Sequence, residues 1–295
     1  MDTPRREPSL LAEAREALLV WFHTTGPVYP WRETERDPYA VLVSEVMLQQ
    51  TQASRVVEVF PPFLRRFPDV VTLANAGRAD VIRAWSGLGY NRRAVALHRA
   101  AREIVADHGG VVPVDPAVLR ELPGVGPYTA AAVASIAHGV PVAAIDTNVR
   151  KVIARAAFGV EPDEVGAADL ARAAAMWLAP DAPGAWNQAV MNLGRQVCRP
   201  VPRCDACPLS TACRFRLSGR PGRGSGRRQP AFEGSTRQLR GGIIRELTAR
   251  SQAIPVGVLA TALGQPTRRV RTGADALAGE GLIERTPSGR LRLPR

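Results

Sequence analysis

The chain has 295 residues, of which 45% are hydrophobic, and carries a formal net charge of +12. This length accommodates one large domain with a smaller one, and no apolar run reaches the roughly 18 residues that a membrane-spanning helix needs. The N-terminus lacks the basic start, apolar middle and small-residue cleavage site of a signal peptide, which predicts a cytoplasmic protein.

Residues 9 to 213 alternate short helical patterns with turns rich in Pro and Gly, such as FPPF, GLGY and LPGVGP. Few strand signals occur in this region, which predicts an all-α domain. The predicted helices span residues 9–25, 38–55, 70–76, 78–85, 91–107, 116–121, 127–138, 147–158, 167–178 and 184–197.

Residues 39–55, YAVLVSEVMLQQTQASR, combine an apolar helix with a single carboxylate, Glu45, and then two glutamines. The surrounding apolar residues predict that Glu45 is buried. Desolvation raises the pKa of a buried carboxyl group towards neutral pH, so that it can carry a proton to donate. The alternative is a structural ion pair with an arginine such as Arg32 or Arg150.

Residues 119–137, LRELPGVGPYTAAAVASIA, predict a helix, a tight turn and a second helix that begins at Pro127. Gly124 and Gly126 allow the turn to expose main-chain N–H groups beside the N-terminus of the second helix. Such a turn binds phosphate without reading the base sequence. A purely structural helical hairpin is the alternative.

Asp146 follows an apolar run in VPVAAIDTNVRKVIARA and precedes residues with helical spacing. This position predicts an N-cap, because an aspartate side chain accepts hydrogen bonds from the first free N–H groups of a helix. A catalytic role is the second interpretation of the same residue.

All four cysteines fall within 16 residues with the spacing C-x5-C-x2-C-x5-C, at Cys198, Cys204, Cys207 and Cys213. In a cytoplasmic protein this density predicts a metal site rather than disulfides. Four thiolates suit either structural zinc or an iron–sulfur cluster, and the spacing alone leaves both open.

The C-terminal segment carries the whole charge excess, with 17 arginines and 5 acidic residues in 214–295, whereas residues 1–213 hold 22 of each sign. Residues 218–235 predict a flexible basic linker. Residues 236–295 predict three helices and a two-stranded hairpin, the layout of a winged helix, with Arg268, Arg269 and Arg271 at the start of the third helix. Its basic charge favours a nucleic acid partner; a protein-interaction module is the alternative.

The motifs PWR, SEVMLQQTQ, GLGY, LPGVGPYTAAAV, IDTNV and the four-cysteine loop occur in this order. This series resembles the helix–hairpin–helix DNA glycosylases, and most closely the MutY-type adenine glycosylases, over about residues 10 to 215. The resemblance implies a mostly α, two-lobed glycosylase domain over 9–217 with a cluster loop at 198–213. A small winged-helix-like α+β domain follows it at 236–295. Double-stranded DNA with a mispair is the implied substrate, bound by a monomer at the nucleoid.

The resemblance implies a role for each motif. Glu45 would protonate the flipped adenine at N7, and Asp146 would stabilise the sugar cation or bond to it transiently. Gln50 would fill the gap in the base stack, and Tyr90 would contact the opposite base. The implied base pocket contains Trp31, Arg32, Tyr128 and Gln188. The implied DNA contacts are Gln49, Gln50, Thr51, Tyr90, Leu122, Gly124, Val125, Gly126 and Asn148. The four cysteines would hold a [4Fe–4S] cluster in preference to zinc.

Position 128 bears on the type of reaction. Related enzymes that also cut the DNA strand carry a lysine at the matching hairpin position, where it forms a Schiff base. This chain has Tyr128, and its only lysine is Lys151. The resemblance therefore implies a monofunctional glycosylase that leaves an abasic site.

Several positions depart from the family pattern. The first cysteine gap is one residue shorter than usual, and Asn91, Asn192 and Arg195 replace more typical residues. The Nudix-like domain that senses 8-oxoguanine in this family is absent from the residues given, so the preference between 8-oxoguanine and guanine stays open. The alternatives are a glycosylase for T or U opposite G and a non-enzymatic DNA-binding regulator.

Overall fold

The computed structural model describes residues 6–33, 37–223 and 231–294, and this part of the chain is mostly helical. The helices are α1 Arg6–Thr25, α2 Pro30–Glu33, α3 Pro38–Leu48, α4 Ala53–Arg66, α5 Val70–Asn75, α6 Arg78–Ala84, α7 Arg92–Asp107, α8 Pro116–Leu119, α9 Pro127–His138, α10 Thr147–Ile153, α11 Ala167–Trp177, α12 Pro183–Gln196, α13 Arg214–Leu217, α14 Thr236–Thr248, α15 Val256–Leu263 and α16 Thr267–Gly279. A π-helical turn, Ala154–Phe158, extends α10, and two short 3-10 turns span Pro162–Glu164 and Cys204–Ala206. The strands are β1 Glu284–Arg285 and β2 Leu291–Arg292. The prediction of a mostly helical fold with a small C-terminal hairpin is confirmed.

The chain forms two compact units, which cut across the sequence order. The first contains Met1–Val41, Pro113–Glu121 and Val125–Arg228. Within it, α12 packs against α1, α9 and α10. Its core surrounds Trp186 and Leu18, each 1% exposed, because the apolar faces of these helices converge there.

The second unit contains Leu42–Val112, Leu122–Gly124 and Gln229–Arg295. Around α4 to α7, Phe63 and Trp85 meet edge to ring with centroids 5.9 Å apart, and both are buried. The C-terminal helices α14, α15 and α16 pack on each other. β1 and β2 pair antiparallel, with Glu284 opposite Arg292.

The C-terminal segment shares its core with α6. Ile82 of α6 is fully buried among Leu239, Ile243 and Leu277, and Ala79 and Val95 pack against the same cluster. The three helices and hairpin follow the order expected for a winged helix, and they share a compact unit with residues 42–112. The domain boundaries expected from the sequence stay a prediction.

The helix predicted over 38–55 is wrong in its second half. The structure ends α3 at Leu48 and begins α4 at Ala53, and α4 continues through Pro61 and Pro62. The FPPF segment was interpreted as a turn because proline lacks a backbone donor. Burial of Val56, Phe60 and Phe63 on one face outweighs that local signal.

Residues 218–223 of the predicted linker contact the first unit. Arg220 forms a salt bridge with Glu164 at 3.1 Å, and Arg223 lies 3.5 Å from Asp163. Residues 224–230 of the same predicted linker lie outside the described residues.

Candidate active site and nucleic-acid interface

Glu45 lies in the last turn of α3, and only 6% of its surface is exposed. Leu42, Val46 and Met47 surround its position in the helix and are buried to 2% exposure or less. Burial disfavours the ionised carboxylate because the charge loses its hydration. The structure therefore agrees with the predicted burial of this carboxyl group.

The turn after α3 is held in an unusual backbone conformation. Gln50 has a φ of 55° and an exposed side chain. Gln49 donates a hydrogen bond from Nε2 to the carbonyl oxygen of Gly124 at 3.2 Å, so the turn is tied to the loop before α9. A β-carbon at Gly124 would lie 2.8 Å from that of Ala96, which explains the glycine at this point.

A second turn, Ser86 to Asn91, has the same character. Gly87 and Gly89 have positive φ, and Tyr90 follows with a φ of 46° and 45% exposure. Within the described residues, Gln50 and Tyr90 are the non-glycine residues with positive φ. Such conformations cost about 1–3 kcal/mol each and persist where surrounding contacts impose them, often at functional sites.

Arg93, at the start of α7, supplies those contacts. Its guanidinium donates to the carbonyl oxygens of Val46 (2.9 Å), Met47 (2.8 Å), Gln49 (2.5 Å) and Gly89 (3.1 Å), and to the Thr51 hydroxyl (2.8 Å). It thereby caps the C-terminus of α3 and joins the Gln50 turn to the Tyr90 turn. Desolvation lowers the pKa of Arg93 to about 10, so the group stays charged at neutral pH.

Five of the predicted DNA-binding residues line one cleft of about 1040 Å³ in the second unit, and they are Gln49, Gln50, Thr51, Tyr90 and Gly124. Leu122 and Val125, 4% and 6% exposed, have buried side chains. These two residues can therefore contact DNA only through their main chain.

The hairpin helix α9 begins at Pro127, with Gly126 in an extended conformation at the N-cap. Gly124 has a φ of 80°, and both glycines are exposed. The first N–H groups of α9 have no intrahelical partner, as at any helix N-terminus. The predicted helix–turn–helix geometry is confirmed for 116–138.

Asp146 is the N-cap of α10, as predicted. Its Oδ1 accepts hydrogen bonds from the backbone N–H of Asn148 (2.8 Å) and of Val149 (2.7 Å), and Oδ2 accepts one from Asn148 Nδ2 (2.9 Å). Asn148 in turn lies against Gly194 of α12, where a β-carbon would be 2.6 Å from that of Asn148. The carboxylate is thus fixed in orientation by its own helix and by α12.

Asn187 fixes the segment that leads to Asp146, and sequence reasoning missed it. Its side chain is fully buried, accepts from the N–H of Ala144 at 2.7 Å, and donates to Val142 and to Ser135 Oγ. One amide therefore joins α12 to α9 and to the run before α10. The sequence offers only a weak signal, a polar residue in phase with the buried face of α12.

The predicted pocket residues near the N-terminus form an aromatic and cationic cluster. Trp31 stacks on Tyr29 with centroids 4.5 Å apart, and the Arg32 guanidinium lies 5.1 Å from the Tyr29 ring centre. Arg195 donates to the Tyr29 hydroxyl at 2.7 Å and to Asn192 Oδ1 at 3.3 Å. Stacked rings and guanidinium planes are suited to the faces of a nucleobase.

Tyr128 and Gln188 lie in the same unit. The Tyr128 hydroxyl donates to the Met191 sulfur at 3.4 Å, which links α9 to α12. Gln188 is half-buried on α12, one helical turn before Asn192. Tyr29, Met191 and Asn192 are contacts of the predicted residues that sequence reasoning did not identify.

The four cysteines are free, half-buried thiols in the first unit. Arg155, 2% exposed, pairs with Glu161 at 2.8 Å and also donates to Cys198 Sγ at 3.6 Å. Burial raises the pKa of the Cys198 and Cys213 thiols, and that of Cys207 to about 12.

Metal binding at these thiols would have to release protons, since thiolates are the ligating form. Backbone N–H groups of Leu209, Phe215 and Arg216 point to the sulfurs of Cys207 and Cys213 and favour their charged form. The donor set thus fits a thiolate-ligated centre. Within the described residues, no group of three or more His, Cys, Asp or Glu side chains is arranged to hold a metal ion.

Comparison with known proteins identifies the family. Residues 43–172 match the model of the HhH-GPD superfamily base excision DNA repair proteins. An adenine DNA glycosylase from Mycobacterium tuberculosis is 41% identical over 283 residues, which cover 94% of this chain and 92% of the relative. The chain belongs to the MutY-type helix–hairpin–helix glycosylases.

Solved structures agree with this MutY-type fold. A thermostable thymine-DNA glycosylase superposes with a TM-score of 0.66 at 28% identity, over 72% of this chain and 98% of that one. A non-covalent complex of Endonuclease III with DNA superposes with a TM-score of 0.58 at 22% identity, over 71% and 97%. As a MutY-type glycosylase the protein is a DNA-binding enzyme of base excision repair. Among the described residues, no helix is long and apolar enough to cross a membrane.

Proposed function

We propose that the enzyme removes adenine mispaired with 8-oxoguanine or guanine from duplex DNA by hydrolysing its N-glycosidic bond. The observation that carries the proposal is the buried carboxyl group of Glu45, followed by the strained turn at Gln50. The likeness to a relative named adenine DNA glycosylase, over 94% of this chain, supports the same activity.

Glu45 acts as the general acid. Its burial among apolar side chains favours the protonated carboxyl, which donates its proton to N7 of the flipped adenine. The bond between C1′ and N9 then breaks, and its electron pair leaves with the base, whose added proton neutralises the charge. Positive charge is left on the sugar.

Asp146 stabilises that sugar cation. Three N–H donors orient its carboxylate, so it needs little rearrangement when charge develops. Water then adds to C1′ and releases a proton, which balances the proton given to the base. The products are free adenine and an abasic site.

Gln50 and Tyr90 maintain the opened duplex. Base flipping costs a few kcal/mol in lost stacking, and side chains that enter the stack recover part of it. Both residues are exposed, and their positive φ values hold them in place before DNA arrives. Gln50 fills the gap left by the adenine, and Tyr90 contacts the opposite base.

The enzyme is monofunctional. The hairpin position that carries a Schiff-base lysine in strand-cutting relatives is Tyr128, and the single lysine of the chain, Lys151, is half-buried in α10. Strand breaks are therefore expected only after alkali treatment of the abasic site. The protein acts on DNA as a monomer, which the mass of the complex by light scattering tests.

Cys198, Cys204, Cys207 and Cys213 hold a [4Fe–4S] cluster, which when bound cross-links their loop and can exchange electrons. Arg155 supports the site through its hydrogen bond to Cys198 and its buried pair with Glu161. Iron and acid-labile sulfide in equal amounts, without zinc, are expected in the purified protein. Stoichiometric zinc would contradict the assignment.

A second candidate activity is removal of thymine or uracil opposite guanine. The thymine-DNA glycosylase structure supports it, with 28% identity over 72% of this chain. The two activities differ in the need for an acid, because adenine leaves more readily after protonation at N7.

Single-turnover cleavage of duplexes with A opposite 8-oxoguanine, A opposite guanine, T opposite guanine and U opposite guanine tests both. Breaks are expected only in the A-containing duplexes and only after hot alkali. Loss of T or U with A intact would establish the pyrimidine activity instead.

Glu45→Gln is expected to lower adenine excision by about 10²–10⁴-fold while duplex binding is kept. The matched control is Glu58→Gln, the same change at an exposed carboxylate of α4. Equal excision by the two variants would remove Glu45 from the mechanism.

A further inference from the structure

The helix α14 of the C-terminal segment forms one wall of the cleft that contains Gln50 and Tyr90. The opposite wall comes from the turns at 49–52 and 86–93. All the lining residues belong to the second compact unit, so this cleft lies within one unit. The C-terminal segment and the Gln50–Tyr90 edge therefore face the same ligand.

The two walls are joined by a common core and by charge. Ile82 of α6 is fully buried among side chains of α14 and α16. Across the cleft, Glu280 pairs with Arg240 of its own segment and lies 3.8 Å from Arg92 of α7. The cleft width is thus set by packing within the unit and does not depend on the linker.

The cleft is strongly basic. One acidic residue, Glu280, lines it together with six arginines, which are Arg55, Arg92, Arg93, Arg237, Arg240 and Arg245. Glu280 is engaged by Arg240, and Arg93 by backbone carbonyls, so the remaining charge is not compensated among the lining residues. Such a concave positive surface attracts a polyanion.

Gly241 shows how closely the ligand approaches. Two adjacent glycines interrupt α14, although each costs about 1 kcal/mol in a helix relative to alanine. Packing explains Gly242, because a β-carbon there would lie 2.9 Å from Leu263 Cδ2. Nothing lies within 4 Å of a β-carbon at Gly241, which is exposed and lines the cleft. The fold itself therefore does not require this glycine.

Arg237, Gly241 and Arg245 follow at intervals of four residues and share one face of α14. Two guanidinium groups thus flank a bare patch of helix backbone. The arginines are separated by about 12 Å along the helix axis, which corresponds to three or four nucleotides of a strand.

We propose that the Arg237–Gly241–Arg245 face of α14 binds the sugar–phosphate backbone of the duplex beside the Gln50–Tyr90 pair. This inference rests on the proposed function, since it takes mispaired duplex DNA as the ligand. It differs from the winged-helix expectation, in which the third helix reads the groove through Arg268, Arg269 and Arg271. In the structure Arg269 donates to Gln265 Oε1 at 2.7 Å, and these three arginines do not line the cleft.

The test compares two double variants of the full chain that remove equal charge, Arg237→Ala/Arg245→Ala and Arg268→Ala/Arg271→Ala. The probe is a duplex with a tetrahydrofuran abasic analogue opposite 8-oxoguanine, which the enzyme cannot cleave. Affinity is measured from low to physiological salt. Each lost phosphate contact lowers the salt slope by about 0.9, so the first variant should lose about 1.8 and bind roughly tenfold or more weakly.

A steric test accompanies the charge test. Gly241→Leu should weaken binding at least about tenfold without lowering the unfolding temperature, because leucine favours a helix more than glycine. Gly257→Leu is the control, since Gly257 is also an exposed helical glycine with nothing within 4 Å of a β-carbon. This readout separates loss of binding from loss of folding.

A larger effect from Arg268→Ala/Arg271→Ala, or wild-type binding by Gly241→Leu, would overturn the inference. The proposed function would survive that result if the variants still excised adenine. If the wild-type chain neither bound nor cleaved the A-containing duplexes, the proposed function itself would fail.

Discussion

Replacement of Arg93 by alanine is expected to loosen the Gln50 and Tyr90 turns together. The guanidinium joins α3 to both turns through four carbonyl oxygens and the Thr51 hydroxyl. A hydrogen bond from a charged donor contributes about 1.5–3 kcal/mol, and carbonyls in exposed turns regain water when the donor is removed. Counting only the bonds to Val46 and Met47 gives about 3–6 kcal/mol.

Part of that sum is offset. The pKa of Arg93, lowered to about 10 by desolvation, shows that burial opposes the charged group. We therefore expect Arg93→Ala to lose about 2–4 kcal/mol of unfolding free energy, which a domain of ordinary stability survives. Once released, Gln50 and Tyr90 can leave their positive φ conformations, which cost about 1–3 kcal/mol each.

The assays are urea unfolding and single-turnover excision of adenine opposite 8-oxoguanine. Misplaced wedge residues are expected to lower the excision rate about 10²-fold. Arg93→Lys keeps the charge but presents its donors from one point, so it should lie between alanine and wild type. Arg99→Ala, at an exposed position of the same helix, is the control and should change neither quantity. Wild-type excision and stability in Arg93→Lys and Arg93→Ala would refute the reasoning.

Three further changes test the rest of the site. Asp146→Asn keeps an N-cap and should retain stability, but should lower excision by about 10²–10³-fold because the carboxylate charge is lost; unfolding and single-turnover assays separate the two. Gly194→Ala places a β-carbon 2.6 Å from that of Asn148, so we expect a loss of about 1–3 kcal/mol in urea unfolding and slower excision, whereas equal stability would show that the helices yield. Desolvation lowers the pKa of buried His98 below its usual 6.5. The unfolded chain then binds the proton first, and stability should fall as pH drops below about 6.5; His98→Gln should flatten that part of the urea-midpoint profile.

The sequence by itself determined what depends on neighbours in the chain. Asp146 before an amphipathic segment predicted the N-cap, and Pro127 after the paired glycines predicted the start of α9, as the structure shows. These signals are local, because an N-cap is satisfied by N–H groups two and three residues away. The motifs also led to the family, which the comparisons confirm.

Local signals failed where distant contacts outweigh them. The prolines of FPPF predicted a turn, yet α4 continues through Pro61 and Pro62 because Phe60 and Phe63 are buried in the core. The break at Gln50 was equally hidden, since its φ of 55° is stabilised by Arg93 more than 40 residues later. An arginine in phase with the buried stripe of α7 was the one available hint.

Only the tertiary structure showed what the basic C-terminal segment faces. Charge and helix order predicted a winged helix that reads DNA through its third helix, and neither of them specifies which surface meets the rest of the protein. Packing of Ile82 among side chains of α14 and α16 decides it, and brings Arg237, Gly241 and Arg245 to the cleft of Gln50 and Tyr90. Burial of an apolar face is non-directional in sequence, so the partner of that face becomes known only when the chain is folded.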